Sequence, residues 1–262
     1  ALVAAIAIGG GWLLARGWLL LQTGPGQQPQ TSLPNLPNLG DDSQARREQI
    51  RNQLQAMQVS PDFFETLVNQ SYLQAHPERN GRLPGAGPDE APARDEWFQV
   101  ANAWLTRLSI LPPQVRSNLG RYSSSDYEAW ARTAARQSLP TAAFKDLVEA
   151  RYRAVFPDLP LPDRFDQPLA QVWYAIAADA AALLNNSPPP QTLTPAPNQE
   201  ASAQGSLGPG ESRVFLITGT PGQTLQLALD AGSAVRLAIF DAKGTVRLPS
   251  SDRREWTDAG GT

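Results

Sequence analysis

Cysteine is absent from the 262 residues. This excludes disulfides, thiolate nucleophiles and cysteine-based zinc or iron–sulfur sites, and it is compatible with the cytosol and the periplasm alike. Histidine occurs once, as His76, so no second imidazole exists to complete a metal site. An excess of one charge is missing too. The 22 Lys and Arg and 25 Asp and Glu leave a formal net charge of −3, and the basic residues are dispersed among acidic ones. The basic stripe that neutralises a phosphate backbone does not form, and nucleic acid is not expected as a partner. Proline, by contrast, is abundant: 24 residues, nine of them concentrated in two stretches, which divides the chain into domains joined by linkers. The hydrophobic fraction of 41% is ample for a buried core. The chain begins at Ala1 and stops at Asp258-Ala259-Gly260-Gly261-Thr262, after a turn-like run where another strand is expected, so both ends read as cut.

Residues 1–21 carry no polar side chain except Arg16. As a helix, such a stretch spans roughly the 30 Å of a hydrocarbon core, and the expectation is a transmembrane helix. Arg16 opposes this, because a mid-membrane arginine costs about 2.5–3.5 kcal/mol, but it lies close enough to Gln22 to snorkel to the interface, and Trp12 and Trp18 fit an interfacial belt. No Lys or Arg occurs between Gly17 and Ala45, which leaves the C-terminal part free to be extracytoplasmic. Residues 22–42, with Pro25, Pro29, Pro34 and Pro37, cannot run as helix and lack the apolar groups to fold alone. They read as a spacer.

An internal repeat follows. Phe64, Leu67, Val68, Tyr72, His76, Pro77 and Glu78 match Phe144, Leu147, Val148, Tyr152, Phe156, Pro157 and Asp158 at an offset of 80 residues. Their spacings of 3, 1, 4 and 4 place the apolar groups on one helical face. After a four-residue deletion, Trp97, Phe98, Val100, Ala101 and Leu108 align with Trp173, Tyr174, Ile176, Ala177 and Leu184. Each unit reads as helix, Pro-containing connection, helix. The predicted helix starts are Asp42 or Ser43, Ser60 followed by Pro61, and Ser125 with Glu128 as a capping box. Neither unit buries an apolar face alone, so the two are expected to pack as one α domain over residues 43–186.

Few residues here suggest chemistry. His76 stands where the other unit has Phe156, just before a proline, which points to packing or capping and not to a ligand or base. Asp89-Glu90 and Asp95-Glu96 fall at the expected start of the Trp97 helix, where negative charge complements the dipole. Trp97, Trp104, Trp130 and Trp173 fall on helical stripes and are assigned to the core. No nucleophile, acid/base or metal constellation emerges, so no catalytic, cofactor-binding or metal-binding residue is assigned and no cofactor is expected.

Residues 187–206, with Pro188, Pro189, Pro190, Pro195 and Pro197, form a second linker. Beyond it the periodicity changes. Val214-Leu216, Leu225-Leu227-Leu229 and Val235-Leu237-Ile239 alternate, with turns at Pro209-Gly210, Pro221-Gly222 and Lys243-Gly244, as in short antiparallel strands. Gly219-Thr220-Pro221-Gly222-Gln223-Thr224 lacks the lysine and the following helix of a phosphate loop, and reads as a turn. Asp241 is a conceivable calcium ligand, but its setting before Lys243-Gly244 favours a hairpin turn.

Leu207-Gly208-Pro209-Gly210-Glu211, Val214-Phe215, Pro221-Gly222-Gln223-Thr224-Leu225 and Leu237-Ala238-Ile239-Phe240-Asp241-Ala242-Lys243-Gly244 resemble the bacterial pre-peptidase C-terminal domain, a jelly-roll-like β-sandwich appended to secreted and surface proteins. In that family a Gly-Thr pair leads into a closing strand. This chain ends at Gly261-Thr262, so the resemblance implies a missing strand and an unpaired sheet edge. The helical region, through Leu119-Gly120-Arg121-Tyr122, Asp126-Tyr127, Trp130, Phe156-Pro157, Gln167-Pro168-Leu169, Val172-Trp173 and Ala175-Ile176-Ala177, resembles the segment after the kinase domain and membrane helix of certain cyanobacterial serine/threonine protein kinases. That resemblance implies a sensory or partner-binding role, with the kinase domain upstream. The chain itself has no kinase Gly-rich loop, His-Arg-Asp or Asp-Phe-Gly.

The expected architecture is therefore multidomain: a transmembrane helix at 1–21, a Pro/Gln-rich spacer at 22–42, an all-α domain of two related units at 43–186, a Pro-rich linker at 187–206 and a truncated β-sandwich at 207–262. The expected function is the non-catalytic, extracytoplasmic input region of a membrane-anchored kinase-like receptor, touching lipid through residues 1–21 and binding a ligand or envelope protein. The alternative is a structural or adhesive surface module.

Overall fold

The structure is a computed structural model that describes residues 2–7, 41–187, 189–196, 198–207, 212–219, 224–233 and 235–258. Seven helices lie among them: α1 (Asp41–Met57), α2 (Pro61–Ala75), α3 (Ala91–Ser109), the short α4 (Pro113–Arg116), α5 (Ser124–Arg136), α6 (Thr141–Val155) and α7 (Pro168–Asn186). The strands are β1 (Leu2–Ala7), β2 (Gln191–Leu193), β3 (Ser212–Ile217), β4 (Leu225–Ala228), β5 (Arg236–Asp241), β6 (Val246–Ser251) and β7 (Glu255–Asp258).

α2 and α6 have like backbones. α2 and α6 have 15 residues each at the expected offset, and both end in the same conformation: His76 at φ −125°, ψ 64° and Phe156 at φ −128°, ψ 69°. Each cap donates its N–H four residues back, His76 to the Tyr72 carbonyl at 3.0 Å and Phe156 to the Tyr152 carbonyl at 2.8 Å. Phe64, Leu67, Val68 and Tyr72 are buried, as are Phe144, Leu147, Val148 and Tyr152. Each such apolar side chain contributes roughly 1.5–3 kcal/mol on leaving water.

The repeat extends further towards the N-terminus than its apolar pattern indicated. Gln58 and Ser138 hold matching positive φ values of 58° and 62°. The next residues, Val59 and Leu139, donate to the carbonyls of Leu54 and Ala134 at 2.9 and 3.0 Å. Each unit is thus three helices, α1–α2–α3 and α5–α6–α7, in which α3 packs on α1 and α2 as α7 packs on α5 and α6. α7 also touches α2, α4 and β3. It is surrounded, which is why nearly every side of it is apolar, from Ala170 through Ile176 to Leu184. A buried ion pair between Arg151 and Asp179 ties α6 to α7.

Two of the three expected helix starts shift. Ser60 caps α2, accepting from the Phe63 N–H at 3.5 Å, with Pro61 next. α1 starts at Asp41, so Asp42 and Ser43 lie inside it. α5 is capped by Ser123, two residues before the expected serine, because Asp126 reaches back to the Ser123 N–H at 2.8 Å and closes the box.

The expected transmembrane helix is corrected. Leu2–Ala7 is a strand, antiparallel to β3 on one side and β5 on the other, with Leu2 opposite Ile217 and Asp241. Both sides of its backbone find partners in the sheet, and the β-branched Val3 and Ile6 favour the extended form. Among the described residues no helix is long and apolar enough to cross a membrane. The single-pass placement, the lipid contact through residues 1–21 and the periplasmic location built on it are therefore not supported. Trp12, Arg16, Trp18 and the spacer up to residue 40 lie outside the described residues.

The β region differs from an isolated incomplete sandwich. β1 joins a five-stranded sheet in the order β2-β3-β1-β5-β6, in which β2, from the Pro-rich 187–206 stretch, runs parallel to β3; β4 and β7 form a separate pair. β1 lies between β3 and β5 and pairs with the facing edge of each. Alternation along β5 sends Ala238 and Phe240 into the core shared with the helices, while Leu237 and Ile239 pack under Leu225, Leu227 and Trp256. The chain is mostly helical with small, largely antiparallel sheets. The Thr220–Gln223 turn lies outside the described residues.

Candidate binding surface

In the first helical unit several charged groups meet along the connection from α2 to α3, whose turns contact both helices. Residues 77–79 and 88–90 form single 3-10 turns, each opened by a proline. The connection is held by ions. Arg79 donates to Glu90 at 2.5 Å, with both side chains about one-fifth exposed, and Arg82 lies 3.9 Å from the same carboxylate. The Arg79 hydrogen bond holds the Glu90 carboxyl below the usual glutamate range. Arg94 on α3 donates to the Gly85 and Gly87 carbonyls, each at 2.7 Å, which pins the middle of the connection.

His76 sits at the root of this loop. Its ring packs on Tyr72 at 4.5 Å between centroids, Nδ1 is 3.0 Å from Glu78 and Nε2 is 3.8 Å from Glu96. It caps and packs, as its counterpart Phe156 does on Tyr152. The acidic residues expected to serve the α3 dipole are used otherwise: Glu90 pairs with Arg79, Asp95 with Arg46 at 2.5 Å, and Glu96 faces His76. Asp89 lies in the 3-10 turn that precedes α3.

Beneath the connection is a cavity of about 40 Å³. α1 contributes Arg47, α2 contributes Glu65 and Asn69, the connection contributes Leu83 and Pro84, and α3 contributes Arg94, Trp97 and Phe98. The Trp97 indole N–H donates to Asn69 Oδ1 at 2.7 Å, which fixes the ring as one wall. Arg47 Nε is buried with no hydrogen-bond partner. Burial pushes the Arg47 guanidinium below its usual range; Glu65 opposes the shift and Arg94 adds to it. A broader depression of about 630 Å³ is lined by the uncharged Thr66, Asn69, Gln70, Leu73, Gln74 and Gly81.

The charged groups of this connection are engaged mainly with one another and with backbone carbonyls. Among the described residues no group of three or more His, Asp or Glu side chains converges as a metal site would require. Asp241 closes the β5–β6 turn: its Oδ1 accepts from the Lys243 and Thr245 N–H groups at 3.0 and 2.8 Å, with the Thr245 bond the main cause of its lowered pKa. Of the four tryptophans assigned to the core, Trp104 and Trp173 are buried, while Trp97 and Trp130 are partly buried against it. Arg47 and Arg94 were not singled out from sequence. The available signal was at the repeat offset: Arg47 stands opposite Tyr127 and Arg94 opposite Ala170.

A match of 27% identity over 237 residues joins this chain to the serine/threonine-protein kinase-like protein E of Synechocystis sp. (strain ATCC 27184 / PCC 6803 / Kazusa). The chain is related to a cyanobacterial kinase-like protein. The match covers 82% of this chain and 37% of that protein, so the chain spans well under half of its relative's length. No protein-family profile matches the chain, and the likeness to the pre-peptidase C-terminal domain rests on the sequence motifs alone. No solved structure matches it.

Proposed function

We propose that this chain is a non-catalytic, partner- or ligand-binding accessory region of a kinase-like protein. The match to a kinase-like relative over 82% of the chain carries the reading, since the matched residues contain none of the motifs that hold ATP or accept the substrate proton. The asymmetry between the two helical units supports a binding role: a duplicated scaffold supplies rigidity, and the first unit departs from the second by opening a polar cavity. The β region, if related to the pre-peptidase C-terminal domain, serves as an appended module for attachment or presentation.

The test has two arms. The purified chain incubated with Mg-ATP and a generic protein substrate transfers no phosphate; transfer refutes the non-catalytic assignment. Deleting the matching region from the Synechocystis relative changes that protein's autophosphorylation or its set of cross-linked partners. An unchanged rate together with an unchanged partner set refutes the accessory role.

A further inference from the structure

The two helical units share a backbone but fill the space between their helices differently. In the second, Tyr127 on α5 stacks on Phe144 at 5.7 Å and tilts on Trp173 at 5.2 Å, and Phe165 from the connection lies edge-on to Trp173 at 5.2 Å. The neighbouring position on α7 is the fully buried Ala170. Aromatic rings close the space. In the first unit the residue equivalent to Tyr127 is Arg47, and the one equivalent to Ala170 is Arg94. A cavity of about 40 Å³ remains between them, walled by Trp97 and Leu83.

From this contrast we infer that the first unit holds a small-carboxylate site in which Arg47 and Arg94 receive the anion and Trp97 and Leu83 contact its short apolar stem. Three observations carry it. Charge comes first: two guanidinium groups and one carboxylate, Glu65, line the cavity, leaving one positive charge for a monoanion to balance. Polar satisfaction is second. The Arg47 Nε–H is buried with no hydrogen-bond partner, and a carboxylate oxygen would satisfy it through a charge-assisted bond. Size is third: the space is small, about 40 Å³, which limits the occupant to a small anion and excludes a phosphate-bearing nucleotide. Leu83, at 40% exposed, marks the mouth. Arg94 is already oriented by the Gly85 and Gly87 carbonyls, so binding reorganises little.

This assigns a ligand class to the binding role proposed above, and its test does not involve a kinase. The ¹⁵N-labelled chain is titrated with sodium acetate at constant ionic strength, with sodium chloride as the matched control, and the Trp97 indole N–H resonance is followed after assignment by Trp97→Phe. The expected result is a saturable acetate-specific shift. Arg47→Lys, which retains charge but loses the planar fork, weakens binding about tenfold or more. Arg47→Tyr and Arg94→Ala, each installing the residue of the other unit, abolish the shift while helical circular dichroism is retained. A Trp97 resonance that does not move, that responds equally to chloride, or that moves equally in Arg94→Ala overturns the site. If Arg47→Tyr fails to fold, Arg94→Ala and Arg47→Lys decide.

Discussion

Gly120 offers the sharpest test of how the two helical units meet. It lies in the connection between α4 and α5 at φ +87°, and a Cβ added there would stand 2.8 Å from Phe63 Cβ and 3.2 Å from Phe63 Cγ. The nearest atom belongs to the stem of a side chain on α2, so no rotamer change moves it away. Gly120→Ala therefore pays twice: about 1–2 kcal/mol for an L-residue in the left-handed region and about 1–3 kcal/mol for overpacking. The stiffer unfolded chain returns about 0.4–1 kcal/mol. The net expectation is a loss of about 1.5–4 kcal/mol. Gly81 supplies the control, because it holds φ +80° with nothing within 4 Å of its added Cβ. Gly81→Ala should therefore lose about 0–1.5 kcal/mol, the backbone term alone. Urea unfolding followed by tryptophan fluorescence measures both, with the denaturant slope expected to stay constant. Equal destabilisation by the two substitutions, or a Gly120→Ala midpoint indistinguishable from the parent, refutes the close approach of Phe63 to this turn.

Other outcomes follow from the same packing. Phe64→Ala and Phe144→Ala, at equivalent and nearly inaccessible positions, each lower stability by about 3–5 kcal/mol in urea unfolding, because each leaves a cavity in a shared core. Gln171→Ala removes bonds to the Gly120 N–H (3.0 Å), the Tyr122 N–H (3.0 Å) and the Tyr122 carbonyl (2.9 Å); hydrogen exchange at residues 120 and 122 accelerates while α7 stays protected. Acid weakens the α2–α3 connection: with the Glu90 pKa depressed by Arg79, its contribution is present above the unfolded glutamate pKa of about 4.3 and is lost as pH falls through the lower folded value. Glu90→Gln flattens that part of the stability–pH curve, and an unchanged curve contradicts the pairing. Ala4→Pro removes an N–H from a strand flanked by β3 and β5; light scattering should report association through the freed edges, and an unaltered monomer argues against β1 as the central strand.

How much of this was readable from residues alone depended on whether the signal was periodic. Phe64, Leu67, Val68 and Tyr72 recur at helical spacing in Phe144, Leu147, Val148 and Tyr152, and α2 and α6 lie where that spacing placed them. The first helix of each unit, α1 and α5, did not show itself as a repeat, because Gln58 and Ser138 share a left-handed backbone and not a side chain. Residues 2–7 illustrate the opposite difficulty: they open an apolar run over residues 1–21 whose composition suits a buried strand as well as a helix, and the length of that run favoured the helix. The cavity was illegible for a third reason. Arg47, Glu65, Leu83 and Arg94 lie on four segments, and no local pattern links them.

What the sequence determined by itself was local: which faces of α2, α3, α6 and α7 are apolar, where Ser60 and Pro61 start a helix, and that two units share one design. The first two follow from side-chain period and backbone capping, which act within a few residues; the third is an expectation from a match 80 residues apart. What only the tertiary structure decided was the pairing of distant segments: β1 between β3 and β5, β5 turning Ala238 and Phe240 towards the helices, and two arginines brought to one cavity where the sister unit has Tyr127 and Ala170. Such choices are made by complementarity between surfaces far apart in the chain, and the order of the residues does not display them until those surfaces meet.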